Sequence, residues 1–244
     1  MTPNSENHSA INVEPIGHID SCYPDKFGTP RQPGLVKQAL AKIIIAPAFQ
    51  PEQSLQGLAE FSHLWIIFQF HKNQSAKFHA KVHPPRLQGE TMGVFATRSP
   101  HRPNALGLSL VELVSVQNDG VIVRGADIIS GTPVIDIKPY LPEVESVINA
   151  RSGWTQFVVP PKIEIEWPTE TLVELEKWTQ RTHRPELKSL IEETLKLDPR
   201  PTVYKGHEST PSPYRSVHAV RIYEGDIHFQ FLNENRVQIL KLLF

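Results

Sequence analysis

Across its first 142 residues this chain offers short strand-like runs and no long helix. Residues 40–46 (LAKIIIA), 61–71 (FSHLWIIFQFH), 106–116 and 121–129 (VIVRGADII) are apolar or alternating, and so is VIDIKPYLP at 134–142. Runs of this length, rich in β-branched and aromatic residues and cut off by Pro, Gly and Asn, read as strands. Residues 11–19 and the run Gly93-Val94-Phe95-Ala96-Thr97 read the same way, and Asn118-Asp119-Gly120 is a tight turn between two of them. Residues 54–60 have room for one helical turn, with Ser54 as its cap. Strands without βαβ alternation cannot form a doubly wound parallel sheet. The expected architecture is a β-barrel or a strongly curved antiparallel or mixed sheet.

Proline also shapes the connections. Arg98 and Arg102 lie in a loop that carries Pro100, Pro103 and Asn104, and Arg31 and Gln32 lie between Pro30 and Pro33. Proline fixes φ and restricts the residue before it, so both loops hold their donors with little freedom. Such loops are either basic surface connections or sites for an anion or a planar polar group. His71 closes the most apolar strand, and His63 within it reads as a hydrogen-bonded core or edge histidine. Asp127 and Asp136 stand among apolar strand residues, where an acid must be paired or used on a ligand. Asp136 and Lys138 share one face by alternation.

The segment 72–90 gathers Lys72, Lys77, Lys81, Arg86, His79 and His83 against the single acid Glu90. A net charge of −1 gives no global attraction to nucleic acid, so any such interface must be a local patch like this one. His79 and His83 have metal-ligand spacing only on a helix, which Pro84 and Pro85 forbid, so no metal site is expected. One cysteine, Cys22, excludes an intramolecular disulfide. The first ten residues have no secretory signal and no apolar run approaches a membrane span, so the cytoplasm is the expected location.

At Pro160-Pro161 the character changes, which divides the chain into domains 1–160 and 161–244. Thr169 opens one helical pattern, to Thr182, as its cap, and Pro185 opens another, to Leu197. An irregular, proline-rich segment follows, and residues 214–223 and 226–232 form a hairpin around Glu224-Gly225-Asp226. A smaller α+β domain is expected here. The glycine-rich, P-loop, zinc-protease and nucleophile-elbow motifs are all missing, so Rossmann, ATPase, zinc-hydrolase and α/β-hydrolase chemistries lack their mechanical parts. From the residues alone, the loops form a pocket for a polar small molecule beside a basic face.

Four ordered stretches, TPRQPGL (29–35), FSHLWIIFQFH (61–71), GVFATRSPHRPNALGLSLVEL (93–113) and ADIISGTPVIDIKPYLP (126–142), resemble the TsaA-like family. LDPRPTVYKG (197–206) is similar to a motif in the C-terminal domain of its longer bacterial members. Characterised members are TrmO-type tRNA methyltransferases, which use S-adenosylmethionine to methylate N6 of threonylcarbamoyladenosine 37 in threonine tRNA. The resemblance implies a closed, non-Rossmann β-barrel acting as a homodimer, with the cofactor near the subunit interface. It implies cofactor contacts at Arg31, Gln32, Pro33, His71, Lys72, Arg98, Leu108, Arg124, Gly125, Ala126 and Asp127. Three positions depart from the family pattern: His101, Ala105 and Ser130.

Methyl transfer to nitrogen depends chiefly on alignment, and a general base or a water can help remove the N6 proton, with Asp127 or Asp136 as the candidate base. Lys81, Arg86, Arg102, Asn104, Arg200 and Tyr204 are the expected contacts to the anticodon loop, where an unstacked base is accessible. A barrel that binds a nucleotide or RNA without turnover, or one that methylates another RNA or a small molecule, is the alternative.

Overall fold

A computed structural model describes residues 11–73, 78–84, 87, 90–157, 162–201, 204–205, 212 and 215–244. Its first strands are β1 (Gly17–Ser21), β2 (Leu40–Ile45), β3 (His63–Gln69), β4 (Lys81–Val82), β5 (Met92–Gly93), β6 (Leu106–Gln117), β7 (Gly120–Arg124) and β8 (Thr132–Pro139). Six of these close into a barrel in the order β1-β2-β7-β6-β3-β8, every neighbouring pair antiparallel. Closure leaves no unpaired sheet edge. β4 and β5 pair separately as a small ribbon.

Period-two alternation fills the barrel. Ala41, Ile43 and Ile45 from β2, Leu64, Ile66 and Phe68 from β3, and Val121 and Val123 from β7 point inward, with Ile19, Val111 and Val134. Removing each such side chain from water contributes about 2 kcal/mol. Leu55, Ala126 and Ile128 complete the same cluster from the connecting loops.

Three local expectations are corrected. Residues 93–97 are not a strand: after β5 the chain makes a 3-10 turn, Val94–Ala96, in which the Thr97 N–H and hydroxyl both donate to the Val94 carbonyl. The strand expected over 121–129 ends at Arg124, because Gly125 takes φ +78 and turns the chain; Asp127 therefore stands in a loop. Ser54 is the last residue of the short helix α1 (Pro51–Ser54), which starts on Pro51 with no side-chain cap. A second short helix, α2 (Pro142–Glu145), follows the barrel.

The second unit holds β9 (Glu164–Glu166), α3 (Thr169–Thr182), α4 (Leu187–Lys196), β10 (Val217–Ile222), β11 (Gly225–Asn233) and β12 (Arg236–Leu243). Its sheet runs β10-β11-β12-β9, with β9 joining β12 in parallel. The expected hairpin is β10–β11, whereas β9 and β12 were not anticipated. Pro168, not Thr169, is the cap of α3. Trp178 is fully buried, donates to Glu224 Oε1 at 2.9 Å and stacks on Phe244. Cys22, Tyr23, Val36 and Ala39 belong to this second core and not to the barrel's. Residues 22–39 therefore leave β1, cross the second unit and return at β2. The expected boundary at Pro160-Pro161 lies outside the described residues.

Candidate active site

Four segments converge beside one another at the barrel. Arg98 donates from Nη1 to Gln32 Oε1 at 2.7 Å, and Gln32 donates in turn to the Arg31 carbonyl at 2.6 Å. Gly34 N–H donates to the Gly125 carbonyl at 2.9 Å, tying the Arg31-Gln32 loop to the turn after β7. Gly125 needs its positive φ, and a Cβ there would press on Gly34 Cα at 3.3 Å. At the end of β3, Lys72 donates to the Pro24 carbonyl at 3.0 Å while Lys26 donates to the Lys72 carbonyl at 2.7 Å. Asn73 donates to the Pro100 carbonyl at 2.7 Å, and Phe70 N–H to the Ala105 carbonyl at 2.7 Å, fixing the arginine loop from below. Arg31, Gln32, Arg98, Gly125, Ala126 and Asp127 thus share one cradle, while His71 and Lys72 stand with Lys26 at the end of β3.

Asp127 has the most distinctive chemistry. Burial pushes its carboxyl up to about 6, against the lowering effect of the Ser109 hydroxyl and of the Arg98 charge. Ser109 points into the barrel from β6, nearly inaccessible to solvent, and donates to Asp127 Oδ1 at 2.6 Å. His71 is held below its usual value, first by burial and then by Lys72. A carboxyl poised near neutrality beside a guanidinium and an amide can take a proton or hold a donor. The guanidinium and amide suit a carboxylate ligand. This donor set fits a ligand that carries a free carboxylate.

The remaining expected residues lie elsewhere. Asp136 and Leu108 both stand opposite Ile67 in the register, on the outer wall of the barrel. Asp136 pairs with Lys138 Nζ at 2.9 Å and accepts from its own Ile137 N–H. Asp136 is therefore on the opposite side of the wall from Ser109 and the cradle. Arg124 also faces outward, 3.7 Å from Glu112.

Arg102 turns into its own loop and donates to the Thr97 and Ser99 carbonyls; it stiffens the loop, leaving Asn104, His101 and Lys81 exposed around it. Ser130 satisfies its turn by donating to Asp20 Oδ1 at 3.0 Å. Arg86 lies outside the described residues.

Arg200 is buried, with Nε 2.8 Å from Asp198 Oδ1 and its guanidinium 3.2 Å from the Phe231 ring centre. Lys205 reaches Asp198 from solvent at 3.0 Å, and Arg215 lies 5.3 Å from the Tyr204 ring. Cys22 is fully buried and its thiol is pushed up to about 12, which rules it out as a nucleophile. Ser109, Asn73 and Lys26 were missed; the only signal for Ser109 was a hydroxyl at an inward position of an alternating run. Among the described residues no cluster of His, Cys, Asp and Glu could hold a metal, and no helix is long and apolar enough to cross a membrane.

Comparison with known proteins bears on the whole length. The family described as the tRNA-methyltransferase O N-terminal domain matches residues 18–146, and the TrmO C-terminal domain matches 160–243. A putative S-adenosylmethionine-dependent methyltransferase, RcsF, of Pseudomonas aeruginosa is 39% identical over 229 residues, 93% of this chain and 96% of that protein. The tRNA (adenine(37)-N6)-methyltransferase of Escherichia coli is 43% identical over 206 residues, 82% of this chain and 87% of its own. A crystal structure of TrmO from Pseudomonas aeruginosa superposes with a TM-score of 0.78 at 33% identity, covering 97% of this chain and all of that one.

Proposed function

The chain belongs to the tRNA-methyltransferase O family, and from that membership we propose that it methylates N6 of adenine 37 in tRNA with S-adenosylmethionine, its substrate being the threonylcarbamoyl form of that nucleoside in threonine tRNA. The observation that carries this reading is the meeting of Gln32, Arg98 and Asp127 in one cradle, tied by the 2.7 Å Arg98–Gln32 bond.

When bound, S-adenosylmethionine supplies a methyl group activated by its sulfonium sulfur. Arg98, with Gln32 and Arg31, would hold the carboxylate of the amino-acid portion. Gly125 and Ala126, fixed by the Ala39 carbonyl, would set the turn that presents Asp127 to it. Asp127, as carboxylate, would take the proton that N6 loses on methyl transfer. The threonylcarbamoyl substituent makes that proton easier to lose, so a base of modest strength suffices. Fixed loops supply the alignment on which the transfer rests. Lys81, Lys205 and Arg215, with Asn104, would contact anticodon-loop phosphates.

A homodimer is part of the proposal, in the cytoplasm where tRNA is modified. Leu106, Leu108, Val144, Val147 and Ile148 are exposed along the outer wall and the segment after it, which is apolar surface suited to a second copy. Leu108 would meet a cofactor at the seam between barrels, whereas Asp136, paired with Lys138, is not the base. Sedimentation at micromolar concentration should give twice the chain mass; a monomer would remove Leu108 from the site.

The test of the reaction uses S-adenosylmethionine labelled in its methyl group and purified tRNA, followed by nucleoside digestion. Label should appear in an N6-methylated adenosine derivative. Cofactor bound without label in any tRNA would favour a non-enzymatic binding barrel.

A further inference from the structure

The cradle is not built on the barrel alone. Residues 22–39, which carry Arg31 and Gln32, run through the core of the second unit before β2 begins. The Cys22 carbonyl accepts from Tyr223 N–H at 2.7 Å, Tyr23 Oη lies 3.3 Å from Thr194 Oγ1, and Asp25 pairs with Arg221 at 3.2 Å. Gly28, at φ +96, lies so close to Val220 that a Cβ would overlap its methyl.

On the return limb Gln38 N–H donates to Glu193 Oε2 at 3.1 Å. The carbonyl of the next residue, Ala39, accepts from Gly125 N–H at 2.8 Å and from Ala126 N–H at 3.4 Å. Gly125 in turn accepts from Gly34. Glu193 therefore fixes the chain at Gln38, one residue before the Ala39 carbonyl that holds the cradle's floor.

We propose that Glu193, on α4, is a positioning residue for S-adenosylmethionine binding, acting through the Gln38–Ala39 chain on Gly125, Ala126 and Asp127. The C-terminal unit then serves the methyl-donor site as well as tRNA. This rests on assigning the cradle to S-adenosylmethionine.

Its test compares full-length wild type with Glu193→Ala, Glu193→Gln and Glu192→Ala. Glutamine keeps an oxygen acceptor for Gln38. Glu192 lies on the same helix but bonds Trp167 and Lys196, so it reports stability alone. Calorimetry with S-adenosylmethionine, the KM for cofactor and for tRNA, kcat and the thermal midpoint are measured for each. Removing a charge-assisted bond to a positioned amide should raise the cofactor Kd and KM about tenfold in Glu193→Ala, with the tRNA KM unmoved. Glu193→Gln should stay within about twofold of wild type, and Glu192→Ala should lower the thermal midpoint without moving the cofactor KM. Unchanged cofactor binding in Glu193→Ala, or equal losses in Glu193→Ala and Glu192→Ala, would reduce Glu193 to a stabilising residue. A wild type that binds no S-adenosylmethionine would instead overturn the assignment of the cradle.

Discussion

A carboxyl that keeps its proton to about pH 6 is a burden on the folded protein above that pH and a usable base at the same time. Asp127 is held so by burial, and neither Ser109 nor Arg98 fully offsets the loss of water. The sign follows: a folded value above the unfolded one gives a contribution to stability that is complete below the unfolded value of 3.8 and lost as pH rises through 6. That shift corresponds to about 3 kcal/mol, reduced to about 2 because the carboxyl keeps some solvent. Asp127→Asn should therefore be more stable than wild type at pH 8, with the gap vanishing near pH 4, in denaturant unfolding followed across pH. In catalysis the same carboxyl must be ionised, so kcat/KM should rise through an apparent value near 6. Asp127→Asn should lose about 100-fold or more in kcat and flatten that limb. Arg98→Ala removes the guanidinium that faces both Gln32 and Asp127; calorimetry should show cofactor affinity reduced about 10- to 100-fold, with the thermal midpoint little changed.

At the scale of elements, Gly125 shows how a turn makes a site. β7 ends there because the chain enters the left-handed region, and the same turn carries Asp127 off the strand and toward Ser109. Gly125→Ala should cost about 1–2 kcal/mol in backbone strain and weaken cofactor binding, since Gly34 must move; unchanged binding would show that the turn tolerates a side chain. The run that became β6 was legible by its alternation, β2 and β3 by their apolar, β-branched and aromatic content, and α3 by its 3.6 spacing. The run GVFAT was misread: its composition suits a strand, but Thr97 supplies side-chain and main-chain bonds that close a 3-10 turn. β9 went unseen because three residues in parallel with β12 leave no local pattern. Of the site, the proline-pinned Arg31-Gln32 and Arg98 were readable from local stiffness, whereas the Glu193–Gln38 bond joins residues 155 apart. Arg102 and Arg200 look alike in sequence as basic loop residues, yet both are turned inward onto carbonyls or an acid.

At the scale of the molecule, one stretch of chain serves both units, since Cys22, Tyr23, Val36 and Ala39 belong to the second core while the loop between them carries Arg31 and Gln32 to the cradle. The net charge of −1 means tRNA attraction must come from the rim around Lys81 and from Lys205 and Arg215. Lys81→Ala and Lys205→Ala should each weaken tRNA binding and lower the slope of log K against log salt by about 1; an unchanged slope for either would make it a solvated surface lysine. The central claim is that this barrel methylates one modified nucleoside at one position. It is tested most directly by mass spectrometry of threonine tRNA from cells with and without the protein. The account predicts that the N6-methylated threonylcarbamoyladenosine disappears without the protein and its unmethylated precursor rises by the same amount; an unchanged ratio of the two would contradict it.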